Sequence, residues 1–343
     1  MYFVKCKAMK RALFLSVLLA SNISSGAQQN DKKGNDSIPQ FPALVKREQL
    51  YSGNPLAQYI TLIELEPTYL NSVFKDPYKE LLKNFEQFLG FPLAGVEAMQ
   101  LKTLKQDFGE KLESPGPNYT LVPAISVLKE QAKTQRIIIW GEEHHLPQTR
   151  SLYEEMIREL WHYGFRYLAA ESFTDKIENR DLKFVNYQCG LYTRDPIFSN
   201  AVNAAIQMGY KLITYDNIEK ERDKVQAANI YKKVFEKDPD AKILILAGRS
   251  HIVEEKTADG WEPMGYWLKK MTGIDPFTIY APVMNERLTP QEEHPVYKYI
   301  TQNAGLHQVS ILKDTLTGKF YGNDRFFDAY VFFPRVQLAN NRP

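Results

Sequence analysis

Short apolar runs alternate with amphipathic segments through the last two thirds of the chain. The segment from Leu152 to Trp161 has one apolar stripe at helical spacing, with Glu154, Glu155 and Arg158 facing away. Similar spacing predicts helices over 196–208, 219–235 and 263–271. Strands are predicted at six runs: Arg136–Trp140, Arg166–Ala170, Lys211–Tyr215, Lys242–Ala247, Phe277–Ala281 and Ala329–Phe333. This alternation predicts an α/β fold with a largely parallel central sheet flanked by helices on both faces.

The N-terminal part of the chain has a different pattern. Residues 43–117 are predicted to form a helical accessory segment, with Leu81, Leu82, Phe85 and Phe88 at helical spacing. The segment contains no histidine or cysteine, so no catalysis is assigned to it, and a role as a lid is the functional alternative. The breaker-rich stretch Glu113–Asn118 marks its end. The α/β domain is predicted over 118–335, and residues 336–343 form a C-terminal tail.

The first residues have the order of a secretory signal. Lys5, Lys7, Lys10 and Arg11 precede the apolar run Ala12–Ala20, and small residues end at Ala27. We therefore expect a signal peptide over 1–27, cleavage near Ala27, a flexible polar leader over 28–42, and export to the periplasm or the medium. The apolar run is shorter than the roughly 20 residues that cross a bilayer, so no stable membrane span is expected.

Charge and cysteine content narrow the function classes. Loss of the four basic signal residues changes the formal net charge from +2 to −2, which argues against nucleic acid or anionic membrane as a partner. Cys6 leaves with the signal, so Cys189 has no partner for an internal disulfide. A lone cysteine is more often a packing residue than a nucleophile. The expected partner is a small-molecule or peptide substrate, and the pattern leaves the oligomeric state open.

Ionisable residues follow the predicted strands. Glu142, Glu143, His144 and His145 come after the first, Glu171 after the second, Asp216 after the third, and Arg249 and His251 after the fourth. The carboxyl ends of parallel strands share one edge, where open α/β folds bind ligands, so we expect Glu142, a histidine of the pair, Glu171 and His251 to line one crevice.

Each of these residues also has a structural interpretation. The two glutamates suit solvated loop charges, Glu171 suits an ion pair with Arg150 or Arg249, and Asp216 suits a helix N-cap. His162, His294 and His307 are interpreted as structural. The chain contains no HExxH, GxSxG, GxxxxGK[ST] or GxGxxG motif.

At these residues the sequence resembles the superfamily of erythromycin esterases, haem-binding ChaN-like proteins and Tiki/TraB proteins. The resemblance covers about residues 119–334 and rests on a strand followed by GEEHH, a strand ending in Glu171, and AGRSHI around His251. The segments Pro263–Ala281 and Phe327–Phe333 are also similar to segments of the esterases. The resemblance implies the α/β fold and a site at these motifs.

Two registers of the GEEHH motif are open. The esterase pattern makes His145 the functional histidine, with Arg150 as a further site residue, and the downstream segments favour this register. The ChaN-like and Tiki pattern makes it His144. The expected catalytic residues are therefore Glu142, His145, Glu171, His251 and Arg150, with His144 as the cofactor-binding alternative.

Three functions follow from the resemblance. The leading one is a hydrolase in which a histidine held by Glu142 or Glu171 activates water against an ester, lactone or amide, while Arg150 or Arg249 and His251 stabilise the oxyanion. The second is a metal-dependent peptidase of Tiki type, with a divalent metal on His144, Glu171 and His251. The third is a haem- or iron-binding protein of ChaN type. No cofactor is required by the first.

Overall fold

The computed structural model describes residues 54–89, 114–179, 181–217, 221–287, 290–322 and 326–335. The chain divides into two compact units: residues 1–91 with 217–220, and residues 92–216 with 221–343. The predicted signal peptide, polar leader and C-terminal tail lie outside the described residues. Within the described ranges, no helix is long and apolar enough to cross a membrane.

The first unit contains two described helices, α1 (Pro55–Tyr69) and α2 (Lys75–Phe88). Asn54 caps α1, since its side chain accepts hydrogen bonds from the amides of Leu56 and Ala57. The Tyr78 hydroxyl donates to the Leu62 carbonyl at 2.5 Å, and its ring stacks on that of Tyr69. These contacts join the two helices, and they agree with the helical character predicted for this segment.

The second unit is built around eight strands. In chain order its elements are β1 (Tyr119–Pro123), α3 (Ala124–Gln131), β2 (Ile137–Glu142), α4 (Tyr153–Trp161), β3 (Tyr167–Ala170), α5 (Pro196–Met208), β4 (Lys211–Ile213), α6 (Arg222–Ile230), β5 (Ile243–Gly248), α7 (Met264–Thr272), β6 (Phe277–Met284), α8 (Pro295–Asn303), β7 (Ser310–Asp314) and β8 (Ala329–Phe332). One turn of π-helix, Tyr231–Phe235, continues α6, and short 3₁₀ helices lie at Pro147–Arg150, Asp175–Glu178 and Tyr192–Arg194.

The strands form a single sheet in the order β1-β7-β8-β6-β2-β5-β3-β4. The six strands from β8 to β4 in this order are all parallel, whereas β7 is antiparallel to both β8 and β1. The central strands β2, β5 and β6 are buried along their whole length, as expected of parallel strands covered on both faces. Helix α4 packs on α3 and α5, and α6 packs on α7.

The predicted fold class is confirmed, and all six predicted strands are present. The two strands that the pattern missed, β1 and β7, pair with each other in register from Tyr119↔Asp314 to Pro123↔Ser310. They lie at one end of the sheet and include half-buried positions, so their sequences lack a continuous apolar run. Helices α3 and α8 were also not predicted.

Candidate functional site

The parallel register of the central strands brings the predicted residues to one edge. Glu142, the last residue of β2, is opposite Gly248, the last residue of β5. Glu171 directly follows β3, which is the other neighbour of β5. The amide of Arg249 donates to the Glu142 carbonyl at 2.9 Å, so the loops after β2 and β5 leave the sheet side by side.

Glu171 lies at the centre of the cluster. Its Oε2 accepts a hydrogen bond from the Gly248 amide at 2.6 Å and lies 3.7 Å from Nε2 of His144. Its Oε1 accepts from Arg222 at 2.8 Å and lies 3.5 Å from Nε2 of His251. Both imidazoles therefore face the same carboxylate through Nε2, at distances longer than a normal hydrogen bond.

Each histidine is held on its other nitrogen by a second carboxylate. Nδ1 of His144 is 2.9 Å from Oε1 of Glu142. Nδ1 of His251 is 2.6 Å from Oδ1 of Asp223. Five side chains therefore alternate in the order Glu142, His144, Glu171, His251, Asp223, and we call them the carboxylate–histidine cluster. A carboxylate at Nδ1 fixes the orientation of the ring and leaves Nε2 directed at the cluster centre.

Buried donors fix the outer carboxylate Glu142. Its Oε2 accepts from the Tyr153 hydroxyl at 2.8 Å and from Arg150 at 3.3 Å. Arg150 is fully buried, donates through Nε to Asp195 at 2.8 Å, and lies over the ring of Tyr192. Arg150 thus contacts the cluster through Glu142, and it also donates to the His144 carbonyl at 3.3 Å.

Neutral donors fix the other outer carboxylate. Asp223, the second residue of α6, accepts from the Met264 amide at 2.9 Å and from the Trp261 indole at 3.1 Å. Arg222, its neighbour, binds Asp216 as well as Glu171, with distances of 2.8 and 2.9 Å to the two Asp216 oxygens. The first turn of α6 therefore supplies one carboxylate and one guanidinium to the cluster.

The electrostatics of the cluster favour ionised carboxylates and protonated imidazoles. Burial alone would lower the pKa of His144, but Glu171 and Glu142 outweigh it and raise that pKa to about 9. Burial also opposes the charge of His251, yet Asp223 and Glu171 raise its pKa, while Arg222 works against them. For Glu171, burial is outweighed by His251, His144 and Arg222, which hold its pKa well below the ordinary value.

Gly248 is where the backbone approaches the cluster most closely. A Cβ atom at this position would lie 2.8 Å from Nε2 of His144 and 3.0 Å from Oε2 of Glu171. Any larger residue would therefore displace the two atoms that face each other, which explains why glycine ends β5.

The structure brings together Glu142, His144, Glu171 and His251. Of the two adjacent histidines, it is His144 whose ring binds Glu142 and faces Glu171. This is the position at which the ChaN-like and Tiki pattern has its histidine. His144 lies two residues beyond Glu142, in the turn that follows β2, in which the Leu146 amide donates to the Glu143 carbonyl at 2.9 Å. His145 is buried as well, with 7% of its surface exposed.

The sequence did not indicate three residues of the site: Arg222, Asp223 and Asp195, which is the ion-pair partner of Arg150. The ion pair of Glu171 is with Arg222 rather than with Arg150 or Arg249, and Arg249 lies instead 3.3 Å from Glu143. Arg222 and Asp223 stand in a run of charges, EKERDK, that is typical of a solvated helix start. Asp195 carries the signal of an N-cap before Pro196, and it does cap α5 by accepting from the Ile197 amide.

The residues predicted as metal ligands, His144, Glu171 and His251, lie together in the cluster, and a metal ion on them stays a prediction. Among the described residues, no group of three His, Cys, Asp or Glu side chains is arranged to hold a metal ion. The guanidinium of Arg222 lies 2.8 Å from Glu171, where it would repel a divalent cation. Haem ligation by His144 likewise stays a prediction.

The remaining candidates lie in structural environments. Cys189 is fully buried, and burial raises the pKa of its thiol, which disfavours a reactive thiolate. His294 caps α8 by accepting from the Val296 amide at 3.2 Å. His162 ends α4, and both His162 and His307 are exposed.

No family profile matches the chain, and neither does any curated protein. Four solved structures match. One is the type III effector HopBA1, at 15% identity and a TM-score of 0.34, covering 52% of this chain and 95% of that one. A second is the C-terminal region of Pasteurella multocida toxin, described as having a thiol-protease-like catalytic triad. It has 11% identity and a TM-score of 0.35, covering 66% of this chain and 34% of that one.

A third is RRSP, a MARTX toxin effector domain from Vibrio vulnificus CMCP6, at 12% identity and a TM-score of 0.31. The match covers 65% of this chain and 52% of that one. At such low identities and TM-scores these likenesses support no inference about function, which has to be argued from the site itself.

Proposed function

We propose that the chain is a hydrolase that uses the carboxylate–histidine cluster to add water to an ester, lactone or amide carbonyl. The observation that carries the proposal is the position of the Glu171 carboxylate between the Nε2 atoms of His144 and His251, each ring being held at Nδ1 by its own carboxylate. A neutral imidazole is suited to the role of general base, and a protonated one to the role of general acid.

His251 is the proposed general base. Asp223 and Glu171 raise the pKa of His251 and Arg222 opposes them, so the ring acts as a base in its neutral form, at pH values above that raised pKa. The hydrogen bond from Nδ1 to Asp223 orients the ring and stabilises the imidazolium that forms when Nε2 takes a proton from the attacking water. This assignment differs from the sequence-based expectation, in which His251 stabilised the oxyanion.

His144 is the proposed general acid. The carboxylates of Glu171 and Glu142 keep it protonated at neutral pH, with a pKa of about 9. A protonated imidazole stabilises negative charge on the carbonyl oxygen and then donates its proton to the leaving group. Glu171 stays ionised throughout, positions both rings and balances their charge. Arg150 acts as a positioning residue for Glu142.

Activity screening tests this proposal. The purified protein is assayed against ester, lactone and amide panels, with Glu171→Gln as the inactive control because it keeps the shape but removes the charge. We expect turnover by the wild type and a loss of a hundredfold or more in the variant, the scale of an acid–base contribution. Turnover that a chelator abolishes and Zn²⁺ restores would overturn the metal-free mechanism in favour of the peptidase alternative. A Soret band in the purified protein would favour haem binding.

A further inference from the structure

Arg287 is a buried guanidinium that lies just after the carboxyl end of β6. Only 4% of its surface is exposed. Its Nη2 donates to the Pro282 carbonyl at 3.0 Å, but Nε and Nη1 are buried without a hydrogen-bond partner within the described part of the chain. Buried polar groups are nearly always hydrogen-bonded, and leaving a charged one unsatisfied is strongly unfavourable.

Arg287 lies among both acidic and basic groups. Glu143 and Glu292 stabilise its charge, and Arg249 opposes it. Arg249 also lies against Glu143, with Nε 3.3 Å from Oε2, and donates to the Tyr280 hydroxyl at 3.4 Å. Burial together with Arg249 outweighs the two carboxylates and lowers the pKa of Arg287. An additional anion would satisfy its unpaired N–H groups.

This arginine pair borders the carboxylate–histidine cluster. Glu143 is the neighbour of Glu142, Arg249 is the neighbour of Gly248, and Arg287 follows the strand next to β2. All three residues therefore lie at the carboxyl edge of the sheet, beside the proposed catalytic histidines but on the β6 side.

We propose that Arg287, together with Arg249, forms a binding subsite for an oxyanion, a carboxylate or phosphate group carried by the substrate. The planar guanidinium presents N–H groups in a fork that matches either anion. The inference rests on the proposed function, which it deepens by assigning the substrate to the anionic esters, lactones or amides.

Anion binding can be measured without any turnover. The wild-type protein is titrated with sodium phosphate and separately with sodium acetate, at constant ionic strength set by sodium chloride, and followed by calorimetry and by thermal unfolding. We expect saturable binding of at least one anion, and a rise in Tm of about 2–5 °C at ten times its Kd. The tighter of the two identifies the group that the substrate carries.

Two variants and a control locate the site. Arg287→Gln should weaken binding tenfold or more, whereas Arg158→Gln, an exposed arginine paired with Glu154, should bind as the wild type does. If Arg287→Gln does not fold, Arg249→Gln is used instead. The Arg249 side chain is 24% exposed, so its replacement should be better tolerated, and it should also weaken anion binding. Absence of saturable binding in the wild type, or wild-type affinity in the folded variants, would overturn the proposal. His144→Ala should retain anion binding even though it removes a proposed catalytic group. Anion binding is therefore measured independently of hydrolysis, and a failure of the hydrolase mechanism can be told apart from a failure of the anion subsite.

Discussion

At the scale of single residues, the site depends on the carboxylate of Glu171, which faces the imidazoles of both His144 and His251. Glu171 is fixed by Arg222 and by the Gly248 amide, so its oxygens cannot swing away from His144 and His251. Each imidazole is in turn fixed by Glu142 or Asp223. The position of every proton in the cluster therefore depends on charges within a few ångströms, and small displacements should have large effects on catalysis.

Replacing Gly248 with alanine tests this sensitivity. The new Cβ would lie 2.8 Å from Nε2 of His144, so the imidazole or Glu171 must move. We expect kcat to fall tenfold or more while Tm changes by only a few degrees, because the atoms that yield are side-chain ends. Gly116→Ala is the matched control, since no atom lies within 4 Å of the added Cβ there. An unchanged kcat in Gly248→Ala would show that catalysis does not depend on the spacing between His144 and Glu171.

The pKa of His144 predicts the alkaline side of the pH profile. If its protonated form is the acid, kcat/KM is sustained below a pKa of about 9 and declines as pH rises through it. An amide substrate is suitable for the measurement, because esters hydrolyse spontaneously at high pH. A kcat/KM that still increases between pH 9 and 10.5 would assign His144 the role of base instead.

At the scale of elements, two contacts connect the site to the helices around it. Arg150 links the loop after β2 to the N-cap of α5 through its ion pairs with Glu142 and Asp195. The first turn of α6 carries Arg222 and Asp223 into the cluster. Helix starts therefore supply the residues that hold the strand-end residues in place.

Arg150→Met tests the link between β2 and α5. The change leaves two carboxylates, Glu142 and Asp195, without their shared buried cation, and breaking a buried pair in this way costs about 3–5 kcal/mol. We expect denaturant unfolding to show a loss of that order, together with reduced activity. Lys129→Met removes an ion pair with Glu159 in which the two side chains are 41% and 34% exposed, and it should change stability far less, because exposed ion pairs contribute little. Equal effects of the two substitutions would contradict the account.

The N-cap of α8 should make stability depend on pH. His294 caps the helix through an accepting Nδ1, and burial together with Arg287 and Lys298 lowers its pKa to about 4. Because the folded-state pKa is below the unfolded value of about 6.5, its contribution is present above pH 6.5 and is lost as pH falls toward 4. Asparagine caps well without titrating.

We therefore expect His294→Asn to lose less stability than the wild type between pH 6.5 and 4, by on the order of 1–3 kcal/mol in denaturant unfolding. Identical losses in the two proteins would mean that the cap does not titrate in this range.

At the scale of the whole molecule, the sequence predicted the parallel sheet and the edge at which the site lies. Continuous apolar runs show buried parallel strands directly, and residues after such strands must share an edge. What it could not predict was the choice between His144 and His145, because that depends on how the chain leaves β2. Nor could it separate Arg222 and Asp223 from the solvated charges beside them. The predicted export of the chain lies outside the described residues and stays a prediction.

The most direct test of the central claim compares hydrolysis by His144→Ala and His145→Ala. We expect His144→Ala to lower kcat/KM for the best substrate a hundredfold or more, because the imidazole facing Glu171 is lost. His145→Ala should affect activity much less, and His307→Ala, an exposed control, should have no effect. Abolished hydrolysis in His145→Ala with near wild-type kcat/KM in His144→Ala would contradict the account and return the site to the esterase register.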